Sequence, residues 1–253
     1  MIKKKTISII TICYNNFEEL FKTYQSIYNY LSNEIEWVVI DGSIDNEISL
    51  FLHEIQSQNI VYICETDEGI YDAMNKGINL SSGEYLIFLN SGDTFCNIDL
   101  FDIGSKLSFD LEVFNLHCVD KKNNYLRCRT FSSDIEDLRN RPSIPHQSTF
   151  IKRKILLSFY NISYKYLADY DLFCFLFLKG AKFRFHKDIY LSNFECEGVT
   201  SNFQTSFKVA NEMKNIQNKY FKKFNYFIYL QSIIKYLLFL FLGIKNLNNL
   251  RKK

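Results

Sequence analysis

Most of the common signatures of ligand chemistry are missing from this chain of 253 residues. Its seven cysteines (Cys13, Cys64, Cys96, Cys118, Cys128, Cys174 and Cys196) are odd in number and nowhere spaced as C-x-x-C. Neither a disulfide framework nor a zinc site is therefore expected, and a reducing cytoplasm fits best. The formal net charge is only +2 and there is no arginine-rich run, so no nucleic-acid partner is expected. No strand is followed by G-x-G-x-x-G, and G-x-x-x-x-G-K-[ST] is absent, which excludes the two commonest phosphate-cradling turns. There is no internal repeat. The start, MIKKKTISIITICYNN, has lysines before apolar residues but no small-residue cleavage site, so it reads as a first strand and not as a secretory signal.

What is present is a core and a rhythm. With 47% hydrophobic and 23% charged residues, the chain can bury one large domain. Residues 6–12 read as a strand, and Phe17, Leu20, Phe21, Tyr24, Ile27 and Leu31 follow at helical spacing behind an Asn15 or Asn16 cap. The unit then repeats, with strands at 36–40, 60–64 and 84–89 and helices at 48–55 and 71–79. Strands alternating with helices imply an α/β fold with a mostly parallel central sheet, whose ligands bind beyond the carboxyl ends of the strands. Three polar clusters fall on those ends and should converge on one crevice: Tyr14-Asn15-Asn16, Asp41-Gly42-Ser43 and Asn90-Ser91-Gly92-Asp93.

Asp93 has no hydrophobic reason to end the strand in GEYLIFLNSGD. It offers a hard oxygen to a divalent cation, and Mg²⁺ or Mn²⁺ bridging a diphosphate needs only one or two carboxylates. Taken alone, Asp41 reads equally as an Asx turn, Asp93 as a helix cap, and Asp169 with Asp171 as charges at the positive end of a helix.

Six segments in this order, SIITICYNN, VVIDGSID, DEGIYDAMNKGI, GEYLIFLNSGD, PHQSTFIKRKIL and ADYDLF, resemble the family 2 glycosyltransferases with a GT-A fold. The likeness is greatest to small bacterial enzymes of colanic-acid, capsule and O-antigen assembly, and it covers roughly the first four-fifths of the chain. The resemblance implies sugar transfer from a UDP-sugar donor with inversion at the anomeric carbon. It places Thr11, Tyr14 and Asn15 along the nucleotide base and Asp41 against the uracil imide. It makes Asp93 the last acid of a D-x-D metal motif, with Asn90 and Gly92 standing where the other acids would be and Ser91 between them. Mn²⁺ or Mg²⁺ is the implied cofactor. Asp169 matches the general base, with Ala168 replacing the preceding Glu, and is preferred to Asp171, which points elsewhere on a helix. Asp67, Asn75, Lys76 and His146 are implied donor contacts.

By the same resemblance, residues 1–203 form the catalytic domain, with the nucleotide half at about 1–95 and the acceptor half at about 96–203, and residues 204–253 form a helical appendage. No Q-x-x-R-W of the processive synthases occurs, and the single tryptophan is Trp37. The stretch YFIYLQSIIKYLLFLFL, residues 226–242, is nearly all apolar and flanked by lysines. It reads either as an interfacial helix on an anionic inner leaflet or as a helix packed on the domain or on a homodimer partner. An acceptor on undecaprenyl diphosphate would explain the first reading and a peripheral position at the cytoplasmic face of the membrane. The competing view, a sugar-nucleotide-binding or scaffold protein of the same fold without catalysis, rests on the acids missing at Asn90 and Ala168.

Overall fold

The computed structural model of the protein describes residues 6–55, 59–120, 125–129, 134–156, 159–195 and 204–242. The first half alternates as the periodicity requires: β1 (Ile7–Cys13), α1 (Phe17–Ile27), β2 (Ile35–Asp41), α2 (Glu47–Glu54), β3 (Ile60–Cys64), α3 (Ile70–Leu80) and β4 (Tyr85–Phe88). The second half is mixed: β5 (Thr94–Phe95), α4 (Leu100–Lys106), β6 (Leu111–Val119), β7 (Tyr125–Arg129), β8 (Thr149–Lys152), α5 (Ala168–Leu178) and β9 (Phe183–Glu195), then α6 (Ser206–Phe221) and α7 (Tyr226–Leu242).

One sheet carries both halves in the order β3-β2-β1-β4-β8-β6-β9-β5, with β7 paired to β6. β1 runs parallel to β2 and β4, and β2 parallel to β3, so four carboxyl ends lie along one edge. β1 and β2 are buried along nearly their whole length because helices cover both faces, hence their runs of Ile and Val. The pleat sends Ile9, Trp37 and Val39 to the layer of α1 and α2, and Ile10, Val38 and Ile40 to the layer of α3. Glu36, buried within β2, receives hydrogen bonds from the Ser8 and Ser82 hydroxyls and the Ser82 and Gly83 amides, which satisfies the charge and fixes the loop before β4.

The layer of α3 continues through α5 into α6, whose Met213 and Ile216 belong to the same core, so residues of the expected appendage pack on the domain. α7 lies against α6: the Tyr229 hydroxyl donates to Asn211 at 3.0 Å, the Ser206 hydroxyl to the Ser232 carbonyl at 3.2 Å, and Phe207 stacks on Tyr236. Its other face leaves Phe227, Leu230, Ile234, Leu237 and Phe241 exposed at intervals of three and four residues. Among the described residues no helix is long and apolar enough to cross a membrane. The expectation of unpaired cysteines needs one correction: Cys118 on β6 is disulfide-bonded, while Cys13, Cys64, Cys96 and Cys174 are free. Cys128 and Cys196 are outside this comparison, their side chains not being described.

Candidate active site

The three polar clusters do converge at the carboxyl ends of β1, β2 and β4. At the β1–β2 corner, Asn15 takes a left-handed φ of 48° and stitches the two strand ends together. Its amide donates to the Ser43 hydroxyl at 2.8 Å and its side-chain oxygen accepts from the Ile44 amide at 3.2 Å. Asp41, fully buried, accepts from the Ser43 amide at 2.9 Å and the Tyr62 hydroxyl at 3.0 Å. The Asx turn foreseen for Asp41 is thus real, and the Cys13 thiol also lies against its carboxylate. A Cβ added at Gly42 would lie 2.6 Å from Asp67 Oδ2 and 3.4 Å from the Tyr14 ring, so any side chain there would displace the Asp67 carboxylate. Tyr14, 59% exposed, and Asp67 therefore lie on either side of the Gly42 backbone.

At the end of β4, Gly92 adopts φ +98°, a conformation in which an Asp would be strained, which explains why the middle acid of the expected motif is a glycine here. The Thr23 hydroxyl on α1 accepts from the Gly92 amide and donates to the Asp93 carbonyl, pinning the turn. Asp93 is buried, its amide bonded to the Asn90 carbonyl at 2.9 Å. Antiparallel pairing of β5 with β9 brings Glu195 alongside, and the Glu195 amide donates to Asp93 Oδ1 at 3.2 Å. Burial pushes the Asp93 carboxyl up to about 7; the Glu195 charge adds to the rise, while the Glu195 amide and His146 oppose it. Asn90 Oδ1 and Ser91 Oγ are hidden from solvent with no hydrogen-bond partner.

On the facing side, the short turn His146–Ser148 precedes β8, and Asp169 lies in the first turn of α5. His146 Nδ1 is 3.0 Å from Asp169 Oδ2, and Asp169 Oδ1 accepts from the Tyr170 amide at 2.8 Å and lies 3.3 Å from the Tyr71 hydroxyl, which also donates to the Tyr166 carbonyl at 2.9 Å. Phe88 and Tyr160 pack around this pair, and His146 Nε2 and the Tyr160 hydroxyl are buried without partners. Burial, reinforced by the Asp169 charge, raises the Tyr71 and Tyr160 hydroxyls well above their ordinary range, so both remain protonated donors. Asp171 points away and pairs with Lys219 of α6 at 2.8 Å. α6 also presents Glu212, whose carboxylate accepts the amides of Lys165, Tyr166 and Leu167 and so fixes the approach to α5.

Three expected contacts are engaged elsewhere. Thr11 is fully buried under the crevice, accepting from Trp37 Nε1 and donating to the Leu89 carbonyl. Asn75 clamps Tyr160 through both of its backbone groups, and Lys76 is held by the Thr66 carbonyl, Glu65 and Asp72. The sequence reading did not single out Tyr71, although it lies within DEGIYDAMNKGI, nor Glu195, Glu212 and Tyr160, which no local motif marks. Among the described residues no group of three or more His, Cys, Asp or Glu side chains is arranged to hold a metal ion. The donor chemistry still suits one, since Asp93, Asn90 Oδ1 and Ser91 Oγ are unpartnered or uncompensated hard oxygens of the kind Mg²⁺ and Mn²⁺ take.

A parallel sheet feeding an acid-lined crevice and extended by a mixed half is the GT-A architecture of nucleotide-sugar transferases. Solved structures of that class superpose on the chain: TarS residues 1–349 of S. aureus in complex with UDP-GlcNAc gives a TM-score of 0.63 at 14% identity, over 93% of this chain and 73% of that one. A mannosyltransferase of Pyrobaculum calidifontis in complex with GDP-Man and Mn²⁺ gives 0.62 at 15% identity, over 87% and 65%. Residues 8–101 match the model of the glycosyl transferase family 2. A PGL/p-HBAD biosynthesis glycosyltransferase of Mycobacterium tuberculosis is 29% identical over 157 residues, 58% of this chain and 59% of its own length. An uncharacterized glycosyltransferase of the same organism is 36% identical over 101 residues, 40% of this chain and 38% of its own. The chain thus matches well under two thirds of the length of these curated relatives.

Proposed function

We propose that the protein is an inverting glycosyltransferase. It moves one sugar from a UDP-sugar to a glycan acceptor carried on a lipid diphosphate of the undecaprenyl type, in the assembly of a bacterial surface polysaccharide. The observation that supports this reading is the Asp169 carboxylate held by His146 at 3.0 Å in a fold whose parallel strands end in the buried acids Asp41 and Asp93. The UDP and UDP-GlcNAc complexes of the structural neighbour support a UDP-sugar donor.

The Tyr14 ring and the Asp67 edge receive the base and ribose, and Asp41 accepts the uracil N–H. Asp169 takes the proton of the acceptor hydroxyl as its oxygen bonds to the anomeric carbon. The carbon–oxygen bond to the diphosphate breaks with its electron pair on UDP, and attack from the opposite face inverts the centre. His146 and Tyr71 hold the Asp169 carboxylate in one orientation, so the base need not reorganise. Asp93, with the oxygens of Asn90 and Ser91, would hold a divalent cation, which offsets the charge gained by the leaving diphosphate. The exposed apolar face of α7 and the neighbouring Lys222 and Lys223 fit a peripheral position on the anionic cytoplasmic leaflet, where a lipid-linked acceptor is presented.

Thermal unfolding across a panel of nucleotide sugars, with and without Mn²⁺, tests the reading. A cognate donor at about a hundred times its Kd stabilises by roughly 2.7 kcal/mol. A panel in which no uridine nucleotide raises the melting temperature overturns it.

A further inference from the structure

The chain lacks two of the three acids expected in its metal motif, and the fold supplies a substitute from a distant strand. Glu195 ends β9, and its amide bonds Asp93 Oδ1 at 3.2 Å. Its own carboxylate lies over Gly92, with Oε2 3.4 Å from where a Cβ would be. The position at which φ +98° disfavours an acid is therefore covered by one from elsewhere. Among the described residues neither Asp93 nor Glu195 has a salt-bridge partner, although Asp93 is only 4% exposed. Two neighbouring carboxylates with no ion-paired partner, one of them buried, favour a cation between them.

Further observations point to a ligand at the same place. Asn90 Oδ1 and Ser91 Oγ, in the turn that carries Asp93, have no partner and no solvent. His146, 9% exposed, has an unpartnered Nε2.

We infer that Glu195 is the second carboxylate ligand of a divalent-cation site shared with Asp93, taking the place of the acids absent at Asn90 and Gly92. The inference rests on the nucleotide-sugar reading above and assigns a residue to its metal. Mg²⁺ and Mn²⁺ bind through one or two carboxylates and complete their shells with water or phosphate oxygens, so Asp93 and Glu195 suffice.

The test is titration of the full-length protein with Mn²⁺, following free Mn²⁺ by electron paramagnetic resonance, with UDP affinity measured separately in EDTA. Glu195→Gln, which keeps shape and loses charge, should weaken Mn²⁺ at least roughly tenfold while metal-free UDP affinity and the melting temperature stay near wild type. Glu195→Asp should recover part of the affinity, which separates ligation from a folding effect. Unchanged Mn²⁺ affinity in Glu195→Gln, in a wild type that binds both Mn²⁺ and UDP, overturns the assignment and leaves the nucleotide-sugar reading standing. A wild type that binds UDP but not Mn²⁺ removes the metal site altogether. One that binds neither removes the nucleotide-sugar reading, and the Glu195 assignment with it.

Discussion

His146 Nδ1 and Asp169 Oδ2 lie 3.0 Å apart, joining the turn before β8 to the first turn of α5. If Asp169 is the general base, Asp169→Asn cuts transfer by roughly 10²–10⁴-fold with UDP affinity near wild type. His146→Gln, which loses only an orienting contact, falls by a smaller factor. Steady-state transfer and calorimetric UDP binding on both variants check this. A His146→Gln loss as large as that of Asp169→Asn would instead make the unpartnered Nε2 the proton acceptor, with Asp169 orienting the ring.

Asp171 is the structural counterpart of Asp169. Only 6% exposed and paired with half-exposed Lys219, it ties α5 to α6. Asp171→Asn should lower stability by about 1–3 kcal/mol, below the usual scale for a fully buried pair because Lys219 keeps some water. Turnover per folded molecule should not change. Chemical denaturation alongside kinetics checks both halves, and an intact but inactive Asp171→Asn would reverse the choice of base.

The raised Asp93 carboxyl makes a pH prediction for the metal-free protein. Its folded value of about 7 lies above the ordinary 3.8, so the native state holds this proton more tightly than the unfolded chain. The resulting stabilisation is complete below about pH 4 and is lost as pH rises through about 7. In EDTA, Asp93→Asn should melt at a higher temperature than wild type at pH 8, with the gap narrowing toward pH 5. A gap that stays constant with pH would show that the carboxyl is ionised throughout.

Gly42 provides a probe of the corner between Tyr14 and Asp67. In Gly42→Ala the new methyl would lie 2.6 Å from Asp67 Oδ2, so the Asp67 carboxylate, held on its other oxygen by the Gly69 amide, has to shift while the fold survives. UDP affinity should drop by roughly tenfold, about 1.4 kcal/mol. Unchanged calorimetric affinity would move the nucleotide away from this corner.

The exposed stripe on α7 gives the membrane reading its test. Phe227→Ser with Phe241→Ser leaves the face packed on α6 untouched and should reduce co-sedimentation with phosphatidylglycerol vesicles severalfold at low salt. If vesicle binding is unchanged while the mass seen by light scattering falls, the stripe serves self-association instead.

The strands and helices of the first half are legible in the sequence because the burial that selects them is periodic. β1 and β2 are covered on both faces and so read as continuous Ile and Val runs, and α1 buries Leu20, Thr23 and Ile27 at helical spacing. Asp41 and Asp93 are legible for a related reason: a parallel sheet gathers its strand ends along one edge, so a polar residue just past a buried strand is already placed. Partner choice is a different matter. Thr11, inside buried β1, has its hydroxyl taken up by Trp37 and the Leu89 carbonyl, 26 and 78 positions away, whereas Tyr14 lies beyond the strand and is exposed. Asp169 and Asp171 share one short motif, and what divides them is His146 on one side and Lys219 on the other. Glu195 reaches Asp93 across 102 positions through the pairing of β9 with β5. By itself the sequence determined the alternation, the sheet and the edge where ligands gather, since these follow from local periodicity and burial. Only the tertiary structure decided which side chains keep free atoms in the crevice, because that depends on which hydrogen-bonding groups the folded chain brings within about 3 Å.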